Sequence, residues 1–145
     1  MVLEKHPEFL IKTTEDGSHT LYVTALDEHY HSVHGAIKES ELVYIENGYK
    51  YCLCDPIKIF EVGFGTGLNA FLTALESIKD GRRVTYTSVE KCPLPDKIIS
   101  ILNYGELKGS YGTDLFKRIH KAKWNIPEII YENFILKKVR ADIIN

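Results

Sequence analysis

The stretch Glu61-Val62-Gly63-Phe64-Gly65-Thr66-Gly67-Leu68-Asn69 restricts what this 145-residue chain can fold into more than any other part of it. It follows Ile57-Lys-Ile-Phe-Glu-Val62, an apolar and β-branched run that reads as a strand. It precedes residues 68–79, where Leu68, Phe71, Leu72, Leu75 and Ile78 recur at helical spacing and form one buried face. A buried strand that passes through glycines into a helix places backbone N–H groups and the positive helix end beside a cleft. Glycine also lets a ligand come close to the main chain. Asp80-Gly81 ends the helix, with Gly81 suited to a left-handed cap, and residues 84–90 form a second β-branched run. This β-α-β order predicts an α/β, Rossmann-like sheet.

Glycine register separates two ligand classes that use this geometry. The dinucleotide fingerprint is G-x-G-x-x-G, whereas the glycines here fall at 63, 65 and 67 and Leu68 stands where the third dinucleotide glycine would be. That register favours S-adenosylmethionine. Glu61 lies just ahead of the first glycine, and Glu90 ends the next strand, where an acidic residue accepts hydrogen bonds from a ribose diol. Glu90 is therefore the expected ribose ligand.

Before the loop, residues 9–13 and 20–24 flank Glu15-Asp-Gly-Ser18, and an Asp-Gly pair between β-rich runs predicts a hairpin. Residues 27–51 have poor periodicity apart from a short helix or strand around 37–45, so residues 1–55 read as a β-rich elaboration in front of the Rossmann-like part, 56–145. A second helix is expected from Pro95 through Leu102, a third over 114–123, and a strand over 133–141. Only three strands are then readable after residue 56. The last of them, 135–141, is expected to expose an edge that favours association.

Composition adds bounds. With 44% hydrophobic and 26% charged residues, the chain has the makeup of one globular domain. No run approaches the roughly 18 apolar residues of a membrane helix, and residues 1–7 lack the basic and apolar regions of a leader, so a cytoplasmic protein with no membrane partner is expected. Cys52, Cys54 and Cys92 lack metal-site spacing and are read as reduced and structural. The net charge of −2 argues against bulk electrostatic capture of nucleic acid without excluding local basic patches. Lys117, Arg118, Lys121 and Lys123, beside Trp124, form one such patch, read first as a solvated helix face. Glu28, His29, His31 and His34 are dense enough to suggest zinc, but a polar loop at the cleft mouth is the reading adopted, and no metal is expected.

Together these pieces resemble one family. Glu28-His-Tyr-His-Ser32 with Gly35, residues 39–48, Gly63-Phe-Gly-Thr-Gly-Leu-Asn69 and Ser88-Val-Glu-Lys-Cys-Pro-Leu94 are similar to the methyltransferase domain of MnmC-type bacterial tRNA enzymes, which also exists free-standing as MnmD. The resemblance covers nearly everything from about Asp27. It implies methyl transfer from S-adenosylmethionine to the aminomethyl group of 5-aminomethyl-2-thiouridine at the tRNA wobble position. Carried over by position, it implies that Gly63, Phe64, Gly65, Thr66, Gly67 and Asn69 hold the methionine part of the cofactor, with Glu61 beside them. Glu90 would hold the ribose and Asp142 the adenine amino group, while Tyr30 and Ser32 would line the substrate side.

One part of the family pattern has no counterpart here. An Asp-x-Phe-x-Pro-like segment, whose aspartate sits beside the substrate amine, is expected beyond residue 145, so the chain reads as the front part of a truncated methyltransferase domain. An alkylamine with a pKa near ~10.4 is mostly protonated at neutral pH, and that aspartate is the group expected to take its proton. Two alternatives follow: an inactive cofactor-binding fragment, or a nicotinamide-dependent oxidoreductase, which the glycine register disfavours. Related proteins also carry a separate or fused flavin-dependent oxidase, but no second dinucleotide motif is present, so no flavin is expected.

Overall fold

A computed structural model describes residues 7–145. Residues 1–6, part of the segment from which the lack of a leader was read, lie outside the described residues. No helix among the described residues is long and apolar enough to cross a membrane.

The chain opens with a three-stranded antiparallel sheet, β1 (Phe9–Thr13), β2 (His19–Val23) and β3 (Glu28–His29), in that order. The expected hairpin is β1–β2, with Phe9 opposite Val23 and Thr13 opposite His19. Its turn does more than reverse the chain. Helix α1 (Ala36–Ser40) starts at Gly35, which has no capping side chain of its own. The hairpin turn supplies the missing acceptors: Ala36 N–H donates to Thr14 Oγ1 at 3.2 Å, Ile37 N–H to Ser18 Oγ at 3.1 Å and Lys38 N–H to Asp16 Oδ2 at 2.9 Å. Partial burial opposes ionisation of Asp16, but hydrogen bonds from Ser18, the Lys38 amide and Thr14 outweigh it and hold the carboxyl down at about 2. After α1 the helix widens into a π-turn over Glu41–Glu46, followed by a 3-10 turn at Tyr49–Tyr51. The ambiguous segment around 37–45 is therefore helical.

The second sheet carries the Rossmann-like part. Its order is β4 (Ile57–Val62), β5 (Val84–Glu90), β7 (Phe134–Arg140) and β6 (Pro127–Tyr131); the first three run parallel and β6 is antiparallel. The fold is thus α/β and Rossmann-like, with a partial, mixed sheet and an N-terminal antiparallel elaboration. Helix α2 (Leu68–Asp80) joins β4 to β5 and ends at Gly81 with φ 76°, the left-handed cap expected from sequence. Short helices α3 (Asp96–Ile99) and α4 (Tyr104–Leu107) lead into α5 (Gly109–Lys121).

Two expectations change. The sheet has four strands after residue 56, because β6 pairs with β7 across the Glu132-Asn133 turn. That pairing places β7 between β5 and β6, so residues 135–141 are interior, and the edges belong to β4 and β6. The helices also differ: the one from Pro95 stops at Ile99, and the third begins at Gly109 rather than Asp114.

Strand alternation divides the sheet into unlike faces. Ile57, Val84, Tyr86, Phe134 and Leu136 are buried toward α2 and α5, where Phe71 meets Phe116 edge-on at 5.4 Å. The other face is uncovered among the described residues, leaving Phe60 62% and Ile129 74% exposed.

Candidate functional site

Between β4 and α2, three glycines with positive φ, 88° at Gly63, 55° at Gly65 and 75° at Gly67, turn the chain sharply. At two of them space as well as backbone geometry demands glycine. A Cβ on Gly65 would lie 3.2 Å from the Tyr30 ring, and one on Gly67 would lie 2.8 Å from His120 Nε2. The loop is consequently packed from both the N-terminal elaboration and α5. Beside it opens a cleft of about 470 Å³ whose lining includes Tyr30, His31, Tyr44, Glu61, Asn69 and Tyr86 together with the loop itself. This volume lies within the range of small-molecule sites.

Glu61 faces inward at the end of β4. Its oxygens accept from Ser88 Oγ at 2.6 Å and Asn69 Nδ2 at 3.3 Å, and the Tyr86 phenol also bonds to it. Burial pushes its carboxyl above the usual range, with those hydrogen bonds opposing. Asn69, in the first turn of α2, spends its amide on Glu61, while its Oδ1 is buried with no hydrogen-bond partner. A buried acceptor without a donor costs about 1–3 kcal/mol, which a ligand cation or N–H group would relieve.

Glu90 is the hinge between two loops. One oxygen accepts from Gly65 N–H at 3.0 Å and the other from Cys92 N–H at 2.8 Å. Each carboxylate oxygen has two acceptor sites, so one on each remains for a diol. Tyr30 packs against Gly65, and its phenol is pushed up to about 12, first by burial and then by the charges of Glu90 and Cys92.

The loop amides are less free than the sequence implies. Gly63 N–H donates to Val89 O at 2.8 Å, Gly67 N–H to Phe64 O at 2.9 Å, and Gly65 N–H is held by Glu90. What stays open is the start of α2, whose N-cap Gly67 contributes no side-chain acceptor.

Other expected residues are placed differently. Thr66 is 1% exposed, and its hydroxyl is bonded by His31 Nε2 at 2.9 Å. Ser32 is turned to its own loop, where its hydroxyl accepts from His34 N–H at 3.2 Å. Asp142 follows β7 and pairs with Lys91 Nζ at 2.8 Å, with the Ile144 amide and Asn145 Nδ2 also on its oxygens. The Lys91 hydrogen bond, aided by the Ile144 amide, holds its carboxyl down at about 2. The three neighbouring histidines diverge: His29 lies against the Tyr22 ring, His31 on Thr66 and His34 on Glu15. Among the described residues no cluster of His, Cys, Asp or Glu is arranged to hold a metal. Cys54 and Cys92 are exposed rather than structural. In the basic helix, Arg118 pairs with Asp114 at 2.8 Å. Sequence reasoning missed Tyr86, Ser88, His120 and Lys138 around the loop. For the three strand residues the inward alternation of β5 and β7 was the available signal; His120 lies on α5.

The structure of MnmC2 from Aquifex aeolicus superposes with a TM-score of 0.70 and 30% identity, covering 96% of this chain and 44% of that one. The chain is related to the MnmC-type proteins. The bifunctional protein MnmC of tRNA 5-methylaminomethyl-2-thiouridine biosynthesis from two strains of Leptospira borgpetersenii serovar Hardjo-bovis, JB197 and L550, is 39% identical over 82 residues. That match takes in 51% of this chain and 13% of either relative, so the chain spans a small part of the curated MnmC proteins it matches. No family model matches.

Proposed function

We propose that this chain carries the cofactor-binding part of an S-adenosylmethionine-dependent methyltransferase that acts in tRNA modification on 5-aminomethyl-2-thiouridine at the wobble position. The observation that carries the reading is the loop with its facing acid: glycines at 63, 65 and 67, the unpartnered Asn69 Oδ1 at the uncapped start of α2, and Glu90 fixed at the end of β5 with acceptor sites to spare. The fit is chemical. S-adenosylmethionine ends in an α-amino and a carboxylate group; Asn69 Oδ1 suits the former and the α2 start the latter. Glu90 suits the ribose diol, and Asp142 suits the adenine amino group once Lys91 shares it.

The cofactor supplies an activated methyl group for in-line displacement. The chain's part is to fix its orientation. Gly63, Phe64, Gly65, Thr66 and Gly67 shape the cradle, Glu61 holds Asn69 through its amide, and Tyr30 walls the cleft beside Gly65. Ser32 follows Tyr30 and His31 in the same segment, and the N-terminal elaboration, described over 7–55, acts as that wall while 56–145 form the cradle. The tRNA, in the cytoplasm, would approach across Tyr30.

A second reading, cofactor binding without turnover by this stretch alone, is favoured by the carboxylates themselves. Glu61 has three donors, and Glu90 has two with its remaining acceptor sites assigned to the ribose diol, so neither is free to take a proton from the substrate amine. One experiment separates the readings: incubation with methyl-labelled S-adenosylmethionine and tRNA bearing 5-aminomethyl-2-thiouridine, with cofactor retention measured in parallel. Label on the aminomethyl nitrogen supports the full reading. Retention without label supports the second, and neither retention nor label rejects both.

A further inference from the structure

Behind the glycine loop lies a string of polar groups that the cofactor reading does not use. His120, near the end of α5, places Nε2 2.9 Å from the carbonyl oxygen of Thr66. The acceptor is a carbonyl, so Nε2 carries the hydrogen and donates. His31 bonds the hydroxyl of the same residue at 2.9 Å. Both histidines are anchored in turn. The carbonyl of His120 accepts from Lys138 Nζ at 2.9 Å, and the main chain of His31 is held reciprocally by Thr20, whose Oγ1 accepts from His31 N–H at 2.9 Å and donates to His31 O at 3.0 Å.

Apolar rings close the arrangement. Phe64 of the loop packs edge-on to His120 at 5.4 Å and to Trp124 at 5.9 Å, and the Lys138 ammonium lies 4.8 Å from the Trp124 ring centre. Lys138 is 1% exposed, and a lysine buried this way is expensive. Burial holds both histidines at about 4, and the Lys138 charge also disfavours a second charge on His120, so both rings are neutral at pH 7.

The Thr66–Gly67 peptide is thereby fixed at both ends. Its carbonyl is taken by His120 and its N–H by Phe64 O at 2.9 Å. If that peptide turned over, a carbonyl dipole would oppose the positive start of α2. We propose that His120 and His31 are positioning residues, which clamp Thr66 from α5 and from the N-terminal elaboration and so hold the glycine loop in its ligand-ready shape. The ligand in question rests on the cofactor reading above; the clamping of the loop does not.

Amide hydrogen exchange of Gly65, Thr66 and Gly67 in the ligand-free protein tests the clamp. It is read beside S-adenosylhomocysteine affinity and the emission of Trp124, the single tryptophan of the chain. His120→Phe removes the donor, while His120→Gln keeps an N–H near the Nε2 position. The Phe variant is expected to speed exchange of these amides about tenfold relative to those of α2, shift Trp124 emission and weaken binding about tenfold; the Gln variant restores all three to within about threefold. Loop exchange equal in wild type, Phe and Gln variants overturns the proposal. If the Phe variant does not fold, Thr66→Val, which removes the hydroxyl that His31 and Tyr104 bond and leaves the His120 bond to the carbonyl, carries the test with the same signs. A wild type that binds no S-adenosylhomocysteine while the exchange pattern holds overturns the cofactor reading and leaves the clamp standing.

Discussion

At Gly65 a φ of 55° and a Tyr30 ring 3.2 Å from where a Cβ would sit act together. The left-handed backbone alone costs an L-residue about 1–2 kcal/mol, and Tyr30 would have to move as well. Gly65→Ala is therefore expected to weaken S-adenosylhomocysteine binding more than about tenfold while the protein stays folded; unchanged affinity in calorimetry would mean that Tyr30 yields freely. A pH dependence belongs to the same scale. His31 and His120 are held at about 4 by burial, against an ordinary 6.5, so protonation favours the unfolded chain. The stability they give is intact above 6.5 and is lost as pH falls toward 4. Glu61, raised by burial, works the other way in acid, and Asp16 and Asp142, held at about 2, lose their contribution only below 3.8. Urea midpoints should therefore fall between pH 6.5 and 4. The double variant His31→Gln, His120→Gln should flatten that slope, and an unchanged slope would assign it elsewhere.

Among elements, α2 was legible because its sequence contains both its period and its stops. Leu68, Phe71 and Leu72 are buried as the spacing implies, although Leu75 and Ile78 are only partly covered. Phe71→Ala, at 0% exposure against Phe116, should cost about 3–5 kcal/mol in chemical denaturation; a loss under about 1 kcal/mol would show the packing there to be loose. Strand β6 was not legible. It is five residues long, opens with Pro127, and pairs only with the strand that follows it. Lys138 shows a different limit. The alternation of Phe134, Leu136 and Lys138 points it inward, but a lysine is read as exposed by default, and its reason for burial lies in His120 and Trp124 on other elements. The same holds for Glu61 and Glu90: their presence near the loop was readable, while their hold on Asn69 and on the Gly65 amide depends on contacts that only the fold creates.

Across the whole molecule, one sheet face is packed under α2 and α5 and the other is open among the described residues, with the β4 edge beside it. The association hazard read from the last strand therefore moves to β4 and to Phe60 and Ile129. Phe60→Lys with Ile129→Lys should lower concentration-dependent association in sedimentation while leaving the melting temperature nearly unchanged. A wild type that stays monomeric at high concentration would contradict this.

Glycines at 63, 65 and 67 with Glu90 beside them are proposed to suit S-adenosylmethionine rather than a dinucleotide. Calorimetric titration of this chain with S-adenosylhomocysteine and, separately, with NAD tests it most directly. Saturable binding of S-adenosylhomocysteine that Glu90→Ala weakens strongly, and no binding of NAD, is the expected result. Binding of NAD alone, or S-adenosylhomocysteine affinity indifferent to Glu90, would contradict it.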